Sequence, residues 1–292
     1  MSLYLSAGVS GIALGLAYGL IGFAIVMLYR ATAVANFAQG TLGMLGAFIA
    51  FLTTNNLGYP LYVSVLVSLV ASALLGVIIF FVVIRPREEA GNLNIIIRTL
   101  GLSMLVLAIA ELQWGASAPY RFPSLIEGDG ITVAGVVIPT QAIVTAVVSL
   151  AIAVVMWVVF NLTPVGLSLR ALAEQPDTAR LLGLRSSRLS AVTWAMSCVL
   201  GTVVAILLAP SAFLLPAMME PYLMFTFTGI VLGGLTSMPG ALIGCVIVGI
   251  ISNVATVAVS PEVGVVVIFI LLLLSMLLRP QGLFGRPESV RL

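Results

Sequence analysis

The sequence predicts an all-α, polytopic transmembrane helical bundle of about 8–9 spans, with broken or re-entrant Gly-rich segments. The first observation is composition: of 292 residues only 8% are charged and 61% are hydrophobic, and the mean hydropathy is +1.25. A soluble domain carries roughly 25% charged residues, and a disordered chain has low hydrophobicity, so both classes are excluded. The second observation is that long charge-free segments recur along the chain, separated by turns that contain Gly and Pro.

Nine apolar segments are the candidate spans, because a transmembrane helix needs about 20 consecutive apolar residues. In chain order they are 8–29, 36–54, 61–84, 94–114, 140–160, 191–214, 223–235, 240–259 and 264–278. The segment 36–54 is Gly-rich and marginal in length. The segment 223–235 is short for a crossing, so it is the candidate for a broken or re-entrant segment buried in protein. Because the spans and their connections use the whole length, residues 1–292 are expected to form a single transmembrane domain.

The arginines predict the orientation, since the cytoplasmic loops of membrane proteins are enriched in basic residues. All 12 basic residues are arginine. When the loop 161–190 is placed in the cytoplasm and the nine spans alternate, only Arg121 falls on the outer side. This arrangement places the N-terminus outside and the C-terminus in the cytoplasm. The first residues lack the basic region of a cleaved signal peptide, so the first span is expected to remain in the mature protein.

The loop 161–190 is much longer than a usual connection of about 4–6 residues, and it contains helical patterns. Pro176 is expected to break a first helix, and a second, apolar helical turn follows at 179–184. A short helix at the cytoplasmic end of a bundle is suited to docking in a groove of another protein. The alternative is a solvated loop whose arginines only fix the orientation. The residues with the spacing of one helical face are Arg170, Ala171, Glu174 and Asp177.

Two Gly-rich segments are candidates for a translocation pathway, because Gly-interrupted segments in corresponding early and late positions indicate the central site of a transporter. In the early segment two uncharged amides, Asn36 and Gln39, lie three residues apart at a helix entrance. Such amides are suited to a zwitterionic or polar solute; the alternative is helix packing with one interhelical hydrogen bond. The candidate pathway residues are Asn36, Phe37, Gln39, Gly40 and Gly43 in the early segment, and Gly233, Gly234, Pro239 and Gly240 in the late one.

The residue types that catalysis and metal binding most often use are missing or poorly placed. The chain has no His, no G-x-S-x-G sequence and no phosphate-binding loop, so we expect no enzyme activity, no metal site and no ATP binding by this chain. Cys198 and Cys245 lie in apolar segments and are expected to be buried without a disulfide. Glu111, near the outer end of a span, is either a proton carrier or an acid at the outer interface.

Five segments, in the same order, resemble the membrane permease of the branched-chain amino acid (Liv-type) ABC importers, and the resemblance covers essentially the whole chain. The family usually has His where this chain has Gln39, which leaves the solute open. The segments are Gly11–Leu20, Asn36–Gly40 with Met44–Ala47, Gly166–Gly183, Leu232–Gly234 with Ser237–Ala241, and Arg279–Gly285. In this family Gly166–Gly183 corresponds to the coupling loop that contacts the ATPase. The resemblance implies a coupling role for Gly166, Arg170, Ala171, Ala173, Glu174, Asp177, Ala179 and Gly183.

The resemblance implies the permease subunit of an ABC importer in the bacterial inner membrane, which translocates a branched-chain or other hydrophobic amino acid. Its implied partners are a second permease subunit (a related paralogue), two cytoplasmic ATPase subunits that bind the ATP, an extracytoplasmic solute-binding protein and the lipid bilayer. No nucleic acid and no cofactor of its own are implied. Import of urea or short amides by the same fold is one alternative. A stand-alone secondary transporter is another, but most acidic residues lie in loops rather than in spans. The lack of His disfavours an intramembrane enzyme, and the long loop disfavours a purely structural subunit.

Overall fold

The structure is a computed structural model that describes residues 2–32, 35–86, 92–117, 119–126, 128, 130–133, 136–279 and 281–285. Helices make up most of these residues, so the predicted all-α class is confirmed. The helices are α1 (Ser2–Thr32), α2 (Gln39–Asn55), α3 (Leu61–Ile79) continued by a π-helical turn (Phe80–Ile84), α4 (Asn92–Trp114), α5 (Thr140–Leu162), α6 (Pro164–Glu174), α7 (Pro176–Leu181), α8 (Ser186–Ala212), α9 (Glu220–Gly233), α10 (Met238–Ala258) and α11 (Pro261–Leu278).

Within the described residues, seven helices are long and apolar enough to cross a membrane: α1, α3 with its π-helical turn, α4, α5, α8, α10 and α11. The two shorter apolar helices are α2 with 17 residues and α9 with 14. At about 1.5 Å rise per residue, α9 extends about 21 Å, less than the ~30 Å hydrocarbon core of a bilayer. These two helices coincide with the segments 36–54 and 223–235, which the sequence predicted to be marginal. The number of crossings therefore depends on α2 and α9.

Three helices begin with the same local arrangement. A hydroxyl at the N-cap accepts a hydrogen bond from the backbone N–H three residues later, at 3.4 Å in α6, 3.1 Å in α10 and 3.4 Å in α11. A Pro stands at the first or second helical position of each, where its missing N–H removes no helical hydrogen bond. The N-cap residues are Thr163, Ser237 and Ser260. These helix starts are encoded locally by the sequence.

The connection 115–139 is not a simple loop as the sequence predicted. It begins with a 3-10 turn (Gly115–Ser117) and contains two short antiparallel strands, β1 (Ile131–Val133) and β2 (Val136–Ile138). β-Branched residues on both sides of a short connection favour such a hairpin. The Ser6 hydroxyl of α1 donates to the Val137 carbonyl at 2.9 Å, which ties the hairpin to the start of that helix.

The chain divides into two compact units. The first unit comprises the described residues within Met1–Val26, Ile126–Leu150 and Pro221–Leu292, and the second comprises those within Met27–Leu125 and Ala151–Glu220. In the first unit α10 packs against α11, and in the second unit α2, α3 and α8 pack on one another while α2 also contacts α4. The early Gly-rich segment therefore belongs to the second unit, and the late one belongs to the first.

The far end of α2 is held by aromatic side chains. Phe48 stacks on Trp114 at the end of α4, with ring centroids 4.5 Å apart, and Phe51 lies 5.1 Å from the Tyr120 ring. Tyr120 also exchanges two backbone hydrogen bonds with Leu214, of 3.1 and 2.9 Å. This cluster fixes the position of α2 within the second unit.

Candidate translocation and coupling site

Gln39, the first residue of α2, is the centre of a buried hydrogen-bond network. Its side-chain Nε2 donates to the Ser197 carbonyl of α8 at 2.7 Å, and its Oε1 accepts from the Ser197 hydroxyl at 2.5 Å and from Asn36 Nδ2 at 3.3 Å. Asn36 Oδ1 accepts from the Ala38 N–H at 3.0 Å, which makes a local turn before the helix. Asn36 and Gln39 are each 1% exposed. The two amides therefore attach the entrance of α2 to α8.

Two facing glycines allow α2 and α8 to approach closely beside this network. A Cβ on Gly43 would lie 2.6 Å from the Gly201 carbonyl oxygen, and a Cβ on Gly201 would lie 2.8 Å from Gln39 Nε2. Neither position has room for a side chain. Gly40 is also buried, whereas Phe37, which precedes the helix, is half-buried.

α3 packs in the second unit through small residues. The Ser68 hydroxyl donates to the Gly46 carbonyl of α2 at 2.5 Å, and the Thr202 hydroxyl of α8 donates to Ser72 Oγ at 2.7 Å. Small and hydroxylated residues are typical of helix contacts in membranes, where backbones must approach closely and polar groups need partners. The buried small residues recur four apart along α3: Ser64, Ser68, Ser72 and Gly76.

The amide groups of the early segment are thus engaged within the protein. The sequence left two interpretations open, a pathway or helix packing through one interhelical hydrogen bond, and the structure has two such bonds between Gln39 and Ser197. For a polar solute to contact these groups, the hydrogen bonds to Ser197 must first open. A pathway role for these amides therefore requires the contacts between Gln39 and Ser197 to rearrange.

The late Gly-rich segment forms the turn between α9 and α10. Gly233 ends α9, and a Cβ on Gly240 in the first turn of α10 would lie 2.5 Å from the Gly233 carbonyl oxygen. A Cβ on Gly244 would lie 2.8 Å from the Gly233 nitrogen. Gly234 has a φ of 108°, which L side chains rarely adopt, and Pro239 is exposed. α9 and α10 therefore meet backbone to backbone.

α1 packs on α10 in the same manner. A Cβ on Gly11 would lie 2.8 Å from the Gly249 carbonyl oxygen, and a Cβ on Gly15 would lie 2.6 Å from the Val246 Cα. The next turn of α1 carries Tyr18, whose ring stacks on Tyr222 of α9 with centroids 5.8 Å apart. In the first unit, glycines therefore bring α1, α9 and α10 together, and Asn253 Nδ2 of α10 adds a hydrogen bond of 2.7 Å to the Ala7 carbonyl of α1.

The predicted coupling loop holds two short helices, α6 and α7, and the break between them lies at Gln175, next to the proline that predicted it. α6 is anchored at its start, where Gly166 contacts the Phe160 backbone of α5 so closely that no Cβ fits. Leu169 and Leu172 of α6 are buried, and α6 contacts α8. One side of α6 is therefore fixed to the spans that flank the loop.

The remaining predicted coupling residues of α6 and α7 differ in exposure. Arg170 is half-buried, and its Nη2 donates to the Asn161 carbonyl of α5 at 3.4 Å. Ala171 is half-buried, Glu174 is exposed and Ala179 is buried. The side chains of Ala173 and Asp177 lie outside the described part of the chain.

The end of α7 carries two uncovered apolar side chains. Leu181 and Leu182 are 88% and 80% exposed, and Gly183 with a φ of 85° then turns the chain. Arg185 and Arg188, which follow, are also exposed. Apolar side chains rimmed by charged ones are typical of surfaces that contact another protein.

Three features of this region were not predicted. Ser197 and Gly201 lie four apart on α8, a spacing of small residues that the sequence does contain and that indicates a helix contact. Residues 281–285 pack on the turn between α9 and α10, a long-range backbone contact without a local signal. Arg98 entered the sequence analysis only as evidence for the orientation. In the structure its Nη1 donates to the Val83 and Ile84 carbonyls at 2.9 and 3.0 Å, and so it provides partners for the last carbonyls of the π-helical turn.

The sequence is similar to known transport proteins along nearly its whole length. The chain is 30% identical to the "High-affinity branched-chain amino acid transport system permease protein LivH" of Escherichia coli (strain K12), over 96% of this chain and 94% of that protein. The protein of the same name from Salmonella typhimurium has the same identity and coverage. The chain is also 29% identical to the corresponding permease protein BraD of Pseudomonas aeruginosa, over 98% of this chain and 97% of that protein.

A solved structure supports the fold, and a family match assigns the chain. The structure titled "PsaBC from Streptococcus pneumoniae in complex with Fab" aligns with a TM-score of 0.51 at 14% identity, over 95% of this chain and 92% of that one. Residues 8–276 match the family described as "Branched-chain amino acid transport system / permease component". Together with the seven apolar helices, this match makes the protein a multi-pass membrane protein. The chain belongs to the family of permease components of branched-chain amino acid transport systems.

Proposed function

We propose that this protein is the membrane-spanning permease subunit of an ABC importer that translocates a branched-chain or other hydrophobic amino acid. The observation that carries the proposal is the family match over residues 8–276, joined by relatives of similar length that are named as branched-chain amino acid permeases. In this role the chain supplies the path across the membrane, and other subunits supply the energy and the solute.

The proposed assembly contains two cytoplasmic ATPase subunits, an extracytoplasmic solute-binding protein and a second permease subunit that is a related paralogue. ATP binding is assigned to the ATPase subunits, in keeping with a sequence that has no His and no phosphate-binding loop. Residues 1–292 are proposed to act as one permease domain, because the family match runs through both compact units without interruption.

α6 and α7 are the proposed coupling segment. Support comes from the combination of an anchored face, with Leu169 and Leu172 buried, and an uncovered end, with Leu181 and Leu182 exposed. A force applied to the uncovered end is passed to the flanking spans α5 and α8, because the anchored face resists sliding. An ATPase surface with an apolar groove is the partner that these two leucines fit.

The candidate pathway residues of both Gly-rich segments are proposed to border the route of the solute: Asn36, Phe37, Gln39, Gly40, Gly43, Gly233, Gly234, Pro239 and Gly240. Support in the early segment comes from two buried amides, since polar groups inside membrane helices are costly and concentrate at functional positions. The route opens at Gln39 only when the two hydrogen bonds between Gln39 and Ser197 break.

The proposed orientation has the N-terminus outside and the C-terminus in the cytoplasm of a bacterium, with the protein in the inner membrane. Support comes from the arginines, of which only Arg121 lies in a predicted outer loop. Cysteine substitutions of Leu182 and Leu57 test it, because both side chains are exposed and Cys198 and Cys245 are buried. Leu182→Cys should react with a membrane-impermeant thiol reagent only from the cytoplasmic side, and Leu57→Cys only from the outside. The reverse pattern would overturn the orientation.

The function is tested by reconstituting the chain in proteoliposomes with its paralogue, the ATPase pair and the binding protein, and measuring uptake of radiolabelled leucine. Uptake should require ATP and all subunits, and unlabelled valine or isoleucine should compete with leucine. Competition by urea or acetamide but not by valine would favour the short-amide alternative. Uptake by this chain alone, driven by an ion gradient, would contradict the ABC assignment and favour a secondary transporter.

The coupling proposal has its own test in Leu182→Asp, which places a charge on an exposed apolar position and should leave the fold intact. We expect at least a tenfold loss of ATP-driven uptake with normal amounts of folded protein, since a charge in an apolar contact costs more than about 1.4 kcal/mol. Leu57→Asp is the matched control, because Leu57 is 64% exposed in the turn between α2 and α3. Equal uptake by the two variants would remove Leu182 from the coupling contact.

A further inference from the structure

The segment 281–285, after the end of α11, lies on the end of α9. The Leu283 N–H donates to the Leu232 carbonyl at 2.8 Å, and the Phe284 N–H donates to the Gly233 carbonyl at 3.0 Å. Both carbonyls belong to the last turn of α9, where the helix itself supplies no hydrogen-bond donors. The segment therefore supplies hydrogen-bond donors to the last carbonyls of α9, although the two are far apart in the sequence.

The contact between the two segments leaves no room for side chains. Gly282 has a φ of 74°, and a Cβ there would lie 2.5 Å from the Gly234 Cα and nitrogen. From the other side, a Cβ on Gly234 would lie 2.7 Å from the Gly285 nitrogen and 3.1 Å from the Gln281 carbonyl oxygen. Glycine is required at both positions by conformation and by space.

The same segment also reaches the start of α10. A Cβ on Gly240, in the first turn of α10, would lie 2.9 Å from the Phe284 Cβ. Since Leu283 and Phe284 hold the last turn of α9, the segment contacts both helices at the turn that joins them. Within the turn itself the Ser237 N–H donates to the Gly234 carbonyl at 3.0 Å, and the segment adds its contacts from outside.

We infer that residues 281–285 are a latch that positions the end of α9 against the start of α10, and that Gly282 is the positioning residue on which this latch depends. α9 has 14 residues and is too short to be held at both membrane surfaces, so its end needs a partner within the protein. Without the latch, α9 and α10 separate more often at the turn, and the opening extends along the pair.

Cys245 reports this opening without any added probe. It lies on α10, is 0% exposed, and its Sγ lies 2.5 Å from the position that a Cβ on Gly229 of α9 would take. Cys198, which is 1% exposed on α8 in the other compact unit, serves as an internal reference. A reagent that reaches Cys245 but not Cys198 therefore detects local separation of α9 from α10 rather than general unfolding.

The test is the rate at which N-ethylmaleimide modifies the two cysteines in native membranes, measured by peptide mass spectrometry. Gly282→Ala should modify Cys245 about tenfold faster than the unaltered chain, because overpacking against backbone favours the open form. Gly58→Ala is the matched control, since Gly58 has a similar φ of 69° but nothing within 4 Å of its Cβ position. Both variants place alanine at a positive φ, but only Gly282→Ala clashes with α9, so the difference between them measures the effect of the clash.

A pair of shortened chains tests the latch without a steric clash. A chain that ends after Arg279 lacks the latch and should expose Cys245 as Gly282→Ala does, whereas a chain that ends after Gly285 keeps it and should behave like the unaltered protein. Unchanged modification of Cys245 in both Gly282→Ala and the Arg279 chain would overturn the inference, and so would equal modification of Cys198. These readouts do not involve transport, so they can fail or succeed independently of the proposed function.

Discussion

Helices α2, α3 and α8 of one unit and α1, α9 and α10 of the other achieve close packing by different means. The first set uses hydroxyl and amide groups, such as those of Gln39 and Ser197, together with a few glycines that meet backbone, among them Gly43 and Gly76. The second set uses glycines at most of its contacts, beside a few side-chain hydrogen bonds such as that from Asn253 Nδ2 to the Ala7 carbonyl. Interhelical hydrogen bonds in membranes contribute about 0.6 kcal/mol on average, whereas overpacking costs about 1–3 kcal/mol or more. Removing one polar contact of the first set should therefore cost less than adding a side chain at a glycine contact of the second set.

The largest effect is expected in the glycine set. Gly244→Ala should lower the free energy of unfolding by about 3 kcal/mol, because its Cβ would meet the Gly229 carbonyl and would lie 2.8 Å from the Gly233 nitrogen, and a backbone cannot rotate away as a side chain can. The measurement is denaturant unfolding of the purified protein in detergent. Gly101→Ala is the control: Gly101 lies in α4 with nothing within 4 Å of its Cβ position, so alanine there should be neutral or slightly stabilising. Equal free energies of unfolding for the two variants would show that the backbone contact at Gly244 does not exclude a side chain.

A medium effect is expected at the amide network. Gln39→Leu should cost about 2 kcal/mol, because the Ser197 hydroxyl and Asn36 Nδ2 lose their acceptor in a buried position. Gln113→Leu, on the exposed side of α4, is the matched control and should change little. The same unfolding measurement applies. If Gln39→Leu is as stable as the control, the hydrogen bonds of Gln39 do not hold α2 to α8.

The smallest effect is expected at a single hydroxyl contact between α3 and α8. A double-mutant cycle with Thr202→Val and Ser72→Ala isolates the hydrogen bond of 2.7 Å between α8 and α3. We expect a coupling energy of about 0.6 kcal/mol, and no more than about 1.7 kcal/mol. A coupling above 3 kcal/mol would mean that hydroxyl contacts hold this unit as firmly as glycine contacts hold the other.

Much of the fold was predictable because its signals are local. Apolar length predicted the spans, and the sequences Thr163-Pro164 and Ser260-Pro261, which stand at helix starts in the structure, are local signals of the same kind. Pro176 predicted the break between α6 and α7, and the cysteines are free and buried as expected. The hairpin in 115–139 was missed, because two strands of three residues give too weak an alternation to distinguish them from a loop.

The site was less predictable, because its contacts join distant residues. The amides at Asn36 and Gln39 were identified from residue type, but their partner Ser197 lies 158 residues away from Gln39 and depends on how α2 meets α8. The latch depends on the backbone of Gly282 against that of Gly234, and backbone contacts leave no trace in side-chain chemistry. The glycines themselves were visible in both segments, but which neighbour each glycine serves is decided by tertiary packing.

The exposed leucines at the end of α7 have a consequence for the life of the subunit in the cell. Leu181 and Leu182 lie outside the spans with most of their surface uncovered. A copy that has not found its partners presents this apolar pair to water, and chaperones and proteases recognise such surfaces. The pair thus makes subunit survival dependent on assembly. Expression without partner subunits should shorten the half-life of the chain, and Leu182→Asp should partly restore it.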